Sequence, residues 1–485
     1  MSVLYDMVTR ERYQMQKNPI ASIIIVNYNG RHFLEACLAS LYAMHSAQSK
    51  YEIIVVNNDS WDNSVPYLHK NHPDVRVIES PINRGFAGGN NLGVQKAKGK
   101  YVVLLNNDTT VEPDWLTKLL GAIEHAPKEV AVVNGKSVLF YPYIEIHIQS
   151  EAYQKTVGSS LGDFRPVHVL VERVELADKA LQRLLYYKSG FFDKEKKEQV
   201  GRWTDGNATL LVPFHPKAKH LELQFTLRSL QGSGEEKTRA RVLFGDEVLE
   251  EVIFHGENVI QCMITIPGAK LHKALFYLVQ NAGNVVFKNG FVRDRGSAAK
   301  LNREMYEVDN EYFQRKRDIL AFCGVNVLLR RDVFLKLGGF DESFFMYYED
   351  ADLSLRLWRL GYRIVYEPRA ILYHIHSASS VEWSSFVYYH AERNHLAFVW
   401  KHFPWKVIGI QMIMHIILFF ISYLRAVRSG LKGNWAKYEL WEDRTLYRWK
   451  IIQWLIANIP QLLKKRWALT SREKMTVNEM FEMLY

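Results

Sequence analysis

The sequence has only three cysteines in 485 residues, Cys37, Cys262 and Cys323, all far apart. That excludes a disulfide framework and a paired-thiolate metal site, and it fits a reducing compartment. A leading apolar run is also missing: MSVLYDMVTRERYQMQKNP scatters charges among isolated apolar residues, so no secretory signal is expected. Sequence repeats and low-complexity tracts are absent, which leaves no case for a repeat array. What is present is ordinary globular composition, 48% hydrophobic and 24% charged, which argues against a multi-span transporter. The length allows two or three domains with a sizeable core.

The net charge of +10 is unevenly placed. Between Arg425 and Lys474 there are 12 Lys and Arg against four Asp and Glu, and seven of the 12 tryptophans fall between Trp400 and Trp467. Indoles beside cations and a long apolar run suit an anionic membrane surface better than nucleic acid. No nucleic-acid partner is expected. The 18 residues from Val407 to Leu424 approach the length of a membrane span, but Gln411 and His415 interrupt them. The expected placement is therefore in the interface, without crossing, on the inner face of the cell membrane, with the bulk of the chain cytoplasmic.

From Ala21 to about Lys136, apolar runs such as SIIIVN, EIIVVN and YVVLLN alternate with helical stretches, the pattern of parallel strands buried on both faces. This predicts an α/β, doubly wound domain with its ligand site at the carboxyl ends of the strands. After about Tyr141 the runs alternate in polarity and are split by turn residues, which predicts an inserted antiparallel β-sandwich. The α/β style resumes at CGVNVLLRR, and beyond Val381 the chain reads as helical. The expected division is an N-terminal extension (1–20), a first α/β half (21–140), the insert (141–300), a second α/β half (301–395) and C-terminal amphipathic, membrane-associating helices (396–485). Carbohydrate binding by the insert is considered from Trp203.

The early strands all end in polar residues: Asn27 to Asn29, Asn57 to Asp59, Asn83 onward, and Asn106 to Asp108. Together they describe a crevice for a nucleotide-like ligand, although each alone could be a cap or turn. NRGFAGGNNLG (Asn83 to Gly93) sets three glycines where the chain enters a helix, a place where backbone can approach an anion. Asp108, just past a buried strand, could hold a divalent cation or simply cap the next helix. Glu349, Asp350 and Asp352 form an acidic cluster at a helix start behind the aromatic run FFMYY, and YHIHSASS supplies His374 and His376. A carboxylate against aromatic walls is a candidate base, and either histidine a candidate ligand.

IVNYNG, NRGFAGGNN, NNDTTVEPDW, GGFDESFFMYYEDADLSLR and YHIHSAS, in that order, resemble the inverting family 2 glycosyltransferases, especially bacterial rhamnosyltransferase-like members. The resemblance covers Ala21 to about Lys136 and Phe322 to about Ser380, with a looser match through Arg393 and Asn394. It implies a nucleotide-diphospho-sugar transferase fold and a metal-dependent, inverting hexosyltransferase. The donor would be a nucleotide-diphosphate sugar, rhamnose-like favoured, and the acceptor a glycan or polyprenyl-linked glycan in bacterial cell-surface polysaccharide synthesis. Under the resemblance, Asp108 binds the metal (manganese or magnesium), with His374 rather than His376 as its companion. Asp350 is the base, with Glu349 beside it. Donor contacts are expected from Val26, Tyr28, Asn57, Asp59, Asn83, Gly85, Asn90 and Asn107.

Two positions depart from the family pattern. Asn57 stands where an aspartate usually contacts the nucleobase, and Asn106 replaces the first acid of the metal motif. Two other readings stay open: a non-catalytic glycan-binding protein with a degenerate transferase domain, and a sugar-phosphate nucleotidyltransferase. The latter would want a basic Gly-rich loop where this chain has VNYNGRHF.

Overall fold

The structure, a computed structural model, describes residues 19–45, 51–150, 156–158, 164–166, 169–192, 201–230, 237–300, 303–375, 385–431, 435–471 and 473–485. His376 and the expected extension up to residue 18 lie outside them. The chain forms two compact units: Met1–Phe140 with Val279–Gly296 and Asn310–Tyr485, and Tyr141–Leu278 with Ser297–Asp309. The segment 279–296, read from sequence as the end of the insert, therefore belongs to the first unit. Turn-rich composition hid this, because NAGN and NGFV look like more hairpins.

In the first unit, β1 (Ala21–Asn27), α1 (Arg31–Tyr42), β2 (Tyr51–Asn58), α2 (Ser64–Asn71), β3 (Arg76–Ser80), α3 (Gly85–Lys96) and β4 (Tyr101–Asn106) follow in order. Next come β5 (Thr109–Val111), α4 (Trp115–Glu124) and β6 (Val130–Leu139). After the excursion into the second unit come β7 (Leu278–Asn281), β8 (Asn326–Arg330), α5 (Arg331–Lys336), α6 (Glu349–Arg359) and β9 (Arg363–His374). Strands β4, β1, β2 and β3 are parallel neighbours. The sheet is mixed, because β8 runs antiparallel between β4 and β6, while β9 lies parallel to β6.

Strand periodicity explains the layering. Ile23, Ile25, Ile53, Val55, Val103 and Leu105 join one core with Leu34, Leu38 and Trp115 from α1 and α4. The intervening Ile24, Ile54, Val56, Val102 and Leu104 join another with Val94, Phe334 and Leu353 from α3, α5 and α6. Continuous apolar runs are thus buried on both faces, as two-sided strands require.

Three long helices, α7 (Ser385–His402), α8 (Trp405–Leu431) and α9 (Trp435–Thr470), and a short one, α10 (Val477–Glu482), follow in this unit. They are not a detachable tail. Ile408, Ile451, Leu455 and Leu462 share a core with Ala351, Leu355 and Phe398. The opposite side of α8 stays apolar and exposed, with Ile413 60%, Phe420 55% and Leu424 63% accessible. Trp405–Arg428 is long and apolar enough to cross a membrane, at mean hydropathy 2.2.

The second unit is antiparallel. Its main strands pair in the order Glu247–His255, Lys237–Phe244, Tyr143–Ser150, Arg202–Pro213, Leu170–Leu176, His220–Leu230 and Glu257–Pro267. These, with Tyr186–Phe191 on Arg202–Pro213, make one hydrogen-bonded eight-stranded sheet rather than two separate ones. Alternate residues from both flanks, such as Ile146, Leu210, Phe225, Val242, Phe254 and Ile264, enclose a single core.

Candidate functional site

Asp108 follows β4 and His374 ends β9; both are buried. His374 Nε2 lies 3.1 Å from Asp108 Oδ1, and His374 Nδ1 lies 3.0 Å from Gln280 Oε1. With Nδ1–H donated to Gln280, the gap between Nε2 and Oδ1 takes either the second proton of an imidazolium or a metal cation. One imidazole, one carboxylate and an outer amide fit a hard divalent cation that completes its shell from a diphosphate. Among the described residues no three His, Cys, Asp or Glu side chains converge, so those residues offer two donors.

The strand ends are knitted by amides. Asn107 Nδ2 donates to Asn27 Oδ1 at 2.8 Å, and Asn27 Nδ2 to Ser64 Oγ at 2.9 Å. Asn57 is 6% exposed, and its Oδ1 is buried without a hydrogen-bond partner. Burying such an acceptor unpaired is costly, which marks it as a place for a ligand N–H. Tyr28 is exposed, edge-on to Trp61 with ring centroids 5.6 Å apart. Asp59 is exposed with φ +66°, and Val26 is half-buried against α3.

The glycine-rich segment does something other than expected. Asn83 Oδ1 accepts from Gly85 N and Asn58 Nδ2, while Asn90 Nδ2 donates back to Phe86 O. Ala87 N donates to Phe345 O and Gly88 N to Arg84 O, so these helix-start donors are already used internally. A Cβ on Gly93 would lie 2.4 Å from Ile24 Cγ2, and one on Gly85 2.2 Å from Phe345 O. Small residues here let α3 pack on the sheet and on the loop before α6, rather than admit a phosphate.

Asp350 opens α6. Its Oδ1 accepts from Ala351 N at 2.7 Å and its Oδ2 from Gly324 N at 3.2 Å and Asn284 Nδ2 at 3.4 Å. Asn281 Nδ2 donates to Asn284 Oδ1 at 2.8 Å and to Asp294 Oδ1 at 2.7 Å, which fixes the direction of the Asn284 amide. Burial pushes Asp350 up to about 6, against these hydrogen bonds. Glu349 is 5% exposed, and burial, followed by the Asp350 charge, pushes it well above the carboxylate range. Its Oε2 has no hydrogen-bond partner. Burial thus favours the protonated form of Glu349.

The loop before α6 is strained: Phe345, Tyr347 and Tyr348 have φ of +64°, +71° and +72°. Asn394 Nδ2, in α7, donates to the carbonyls of Phe344, Met346 and Tyr347, each at 2.8 Å. Arg393 Nη2 donates to Ser343 O and Phe344 O at 2.9 Å. The Arg-Asn pair is a clamp on the loop. Gln280, Asn281, Asn284 and Asp294 were not singled out from sequence; isolated amides in a turn-rich stretch carry no spacing signal.

A mixed α/β sheet gathers polar and titratable residues at the carboxyl edge of its parallel strands, where an open α/β sheet presents its ligand crevice. Two stretches of the sequence match known families. The Glycosyl transferase family 2 profile matches residues 22–153, and Glycosyl transferase family group 2 matches residues 277–462. These two stretches, which hold most of the first unit's sheet and helices, are thus the parts of the chain that resemble glycosyl transferase family 2 domains. It is 28% identical over 166 residues to the poly-β-1,6-N-acetyl-D-glucosamine synthase of Staphylococcus aureus, covering 32% of this chain and 40% of that one. To the chondroitin synthase of Pasteurella multocida it is 33% identical over 107 residues, covering 21% and 11%. The chain thus spans well under half the length of these relatives. A mannosyltransferase from Pyrobaculum calidifontis, solved with GDP-Man and Mn2+, superposes with TM-score 0.38 at 12% identity, covering 94% of each chain.

Proposed function

We propose that this protein is a glycosyltransferase that moves a sugar, rhamnose-like, from a nucleotide-diphosphate donor to a glycan hydroxyl with inversion at the anomeric carbon. The observation that carries the reading is the meeting of Asp108 and His374 at the carboxyl edge of the sheet. Asp350, lifted by burial to about 6, takes the proton of the acceptor hydroxyl. That oxygen forms its bond to the anomeric carbon as the bond to the nucleotide diphosphate breaks on the opposite face. Asp108 and His374 would hold a manganese or magnesium ion, which when bound supplies positive charge against the diphosphate. Asn57 Oδ1 is the acceptor offered to a nucleobase N–H.

The acceptor in this reading is a growing surface glycan on a polyprenyl carrier, and the protein sits peripherally on the inner face of the cell membrane. The exposed apolar side of α8 supports that placement. The deciding assay is release of nucleotide diphosphate from a panel of UDP-, GDP- and dTDP-sugars, with and without divalent cation. A protein that binds glycan but releases nucleotide from none of them would overturn the reading.

A further inference from the structure

The first unit holds a cavity of about 780 Å³ that the transfer chemistry does not use. It lies toward the carboxyl end of α6, reaching Arg356, Leu360 and Gly361, whereas Asp350 opens that helix. Six residues separate Asp350 from Arg356, about 9 Å along the helix axis. Six cations line the cavity: Lys128, Lys336, Arg356, Lys401, Lys465 and Lys474.

Their charges are incompletely matched. In the inner layer, Lys401 and Lys465 each place Nζ 2.7 Å from an Asp341 oxygen, and Arg356 Nε lies 2.9 Å from Asp352 Oδ2. Lys401 also pairs with Asp352. Burial would raise Asp341, but Lys401 and then Lys465 more than reverse it, so the carboxylate is ionised. Three inner cations thus share two carboxylates. The outer layer has Lys128, Lys336 and Lys474, all exposed, against Glu129 and Glu342. Each layer keeps one positive charge in excess, and two together suit a dianion. A helix end accounts for Lys336 by its dipole, but Lys128 and Lys474 come from outside helices and line the same space.

The neighbourhood says what bears the anion. Arg466, next to Lys465, stacks its guanidinium 4.7 Å from the ring of Trp405 and donates to Trp400 O and Phe403 O. Trp405 is 56% exposed and opens α8, whose exposed side is apolar, and Trp467 is 62% exposed beside the lining residue Ala468. Cations, exposed indoles and an apolar helix in succession are the order met at a membrane interface.

We propose that this cavity receives the terminal phosphate of an anionic lipid, seating α8 along the bilayer. The inference rests on the membrane placement in the proposed function and not on the transfer reaction. It is tested by flotation of the purified full chain with phosphatidylcholine vesicles carrying phosphatidic acid or, at matched surface charge, phosphatidylserine. Wild type should prefer phosphatidic acid by at least about tenfold, because a terminal phosphate can enter the cavity and a diffuse surface charge cannot. The triple variant Lys128→Glu, Lys336→Glu, Lys474→Glu should lose that preference. A triple variant in the second unit, Lys217→Glu, Lys219→Glu, Lys273→Glu, should keep it. No preference in wild type, its survival in the cavity variant, or failure of both vesicles to recruit the protein would each overturn the proposal. Inorganic pyrophosphate separates the sources: if it raises the melting temperature of wild type alone while neither vesicle binds, the ligand is soluble and the lipid is ruled out. No donor or acceptor enters these measurements, so loss of transfer activity and loss of this site are separate results.

Discussion

His374 Nε2 stands 3.1 Å from Asp108 Oδ1 although 266 positions separate the two residues in the chain. The sheet, not a loop, sets that distance. Strand β9 pairs antiparallel with β5, bringing His374 opposite Thr109, and Ile375 N donates to Asp108 O at 3.1 Å. Gln280 then holds the far side of the imidazole. A ligand pair built on one strand end and the tight turn leading into its partner strand keeps its spacing without help from bound substrate.

Asp108→Ala should abolish donor-dependent binding of Mn2+, measured by electron paramagnetic resonance of the free ion. Gln280→Ala, which loosens the ring without removing a donor, should weaken it by about 10- to 100-fold. Unchanged ion binding in Asp108→Ala would remove both roles.

Asp350→Asn should lower turnover by at least about 10²-fold with donor affinity nearly unchanged. The base must be ionised and burial raises it to about 6, so wild-type kcat should fall about tenfold per pH unit below that value and level off above it. A flat profile between pH 5 and about 7 would contradict the assignment.

Asn284 donates to the ionised form of Asp350, so its loss should make that carboxylate harder to ionise. Asn284→Ala should displace the acid limb of kcat toward higher pH. A purely structural effect would lower the plateau and leave the limb in place.

Asn394→Ala removes three hydrogen bonds from carbonyls of a strained loop. A loss of about 2–4 kcal/mol in unfolding free energy is expected, read as a lower denaturant midpoint. Because Phe345 O also accepts from Ala87 N, the variant should loosen the packing of α3 against this loop as well.

The positions that bring Asp108 and His374 together were legible in the sequence because they lie at or just past strand ends. VVLLNN followed by Asp, and a strand ending in His, survive as local patterns whatever the connectivity. The buried runs also announced a two-sided sheet. Three things were not legible. The antiparallel course of β8 depends on pairing with β4 and β6, and no run of apolar residues reveals strand direction. The glycines of α3 serve contacts with Ile24 and with Phe345 in a distant segment, which local spacing cannot distinguish from an anion loop. Finally, Asn281 and Asn284 acquire meaning only when Asp350 folds against them. From sequence they fall inside an insert whose own turns use the same residues.

The position of β8 between β4 and β6 also bears on how the polypeptide is made. When β6 is complete at Leu139, the strand that must sit beside it begins only at Asn326. At a ribosome adding about 5–20 residues per second, the gap lasts about ten to forty seconds, during which two apolar strand edges lack their partner. The intervening antiparallel unit has its own core and can form in that interval, so the nascent chain carries a finished module beside an unfinished one. Slowing elongation between residues 140 and 326 would prolong the exposure. Protein yield under such conditions should therefore depend on holdase chaperones more than the stability of the completed enzyme would suggest.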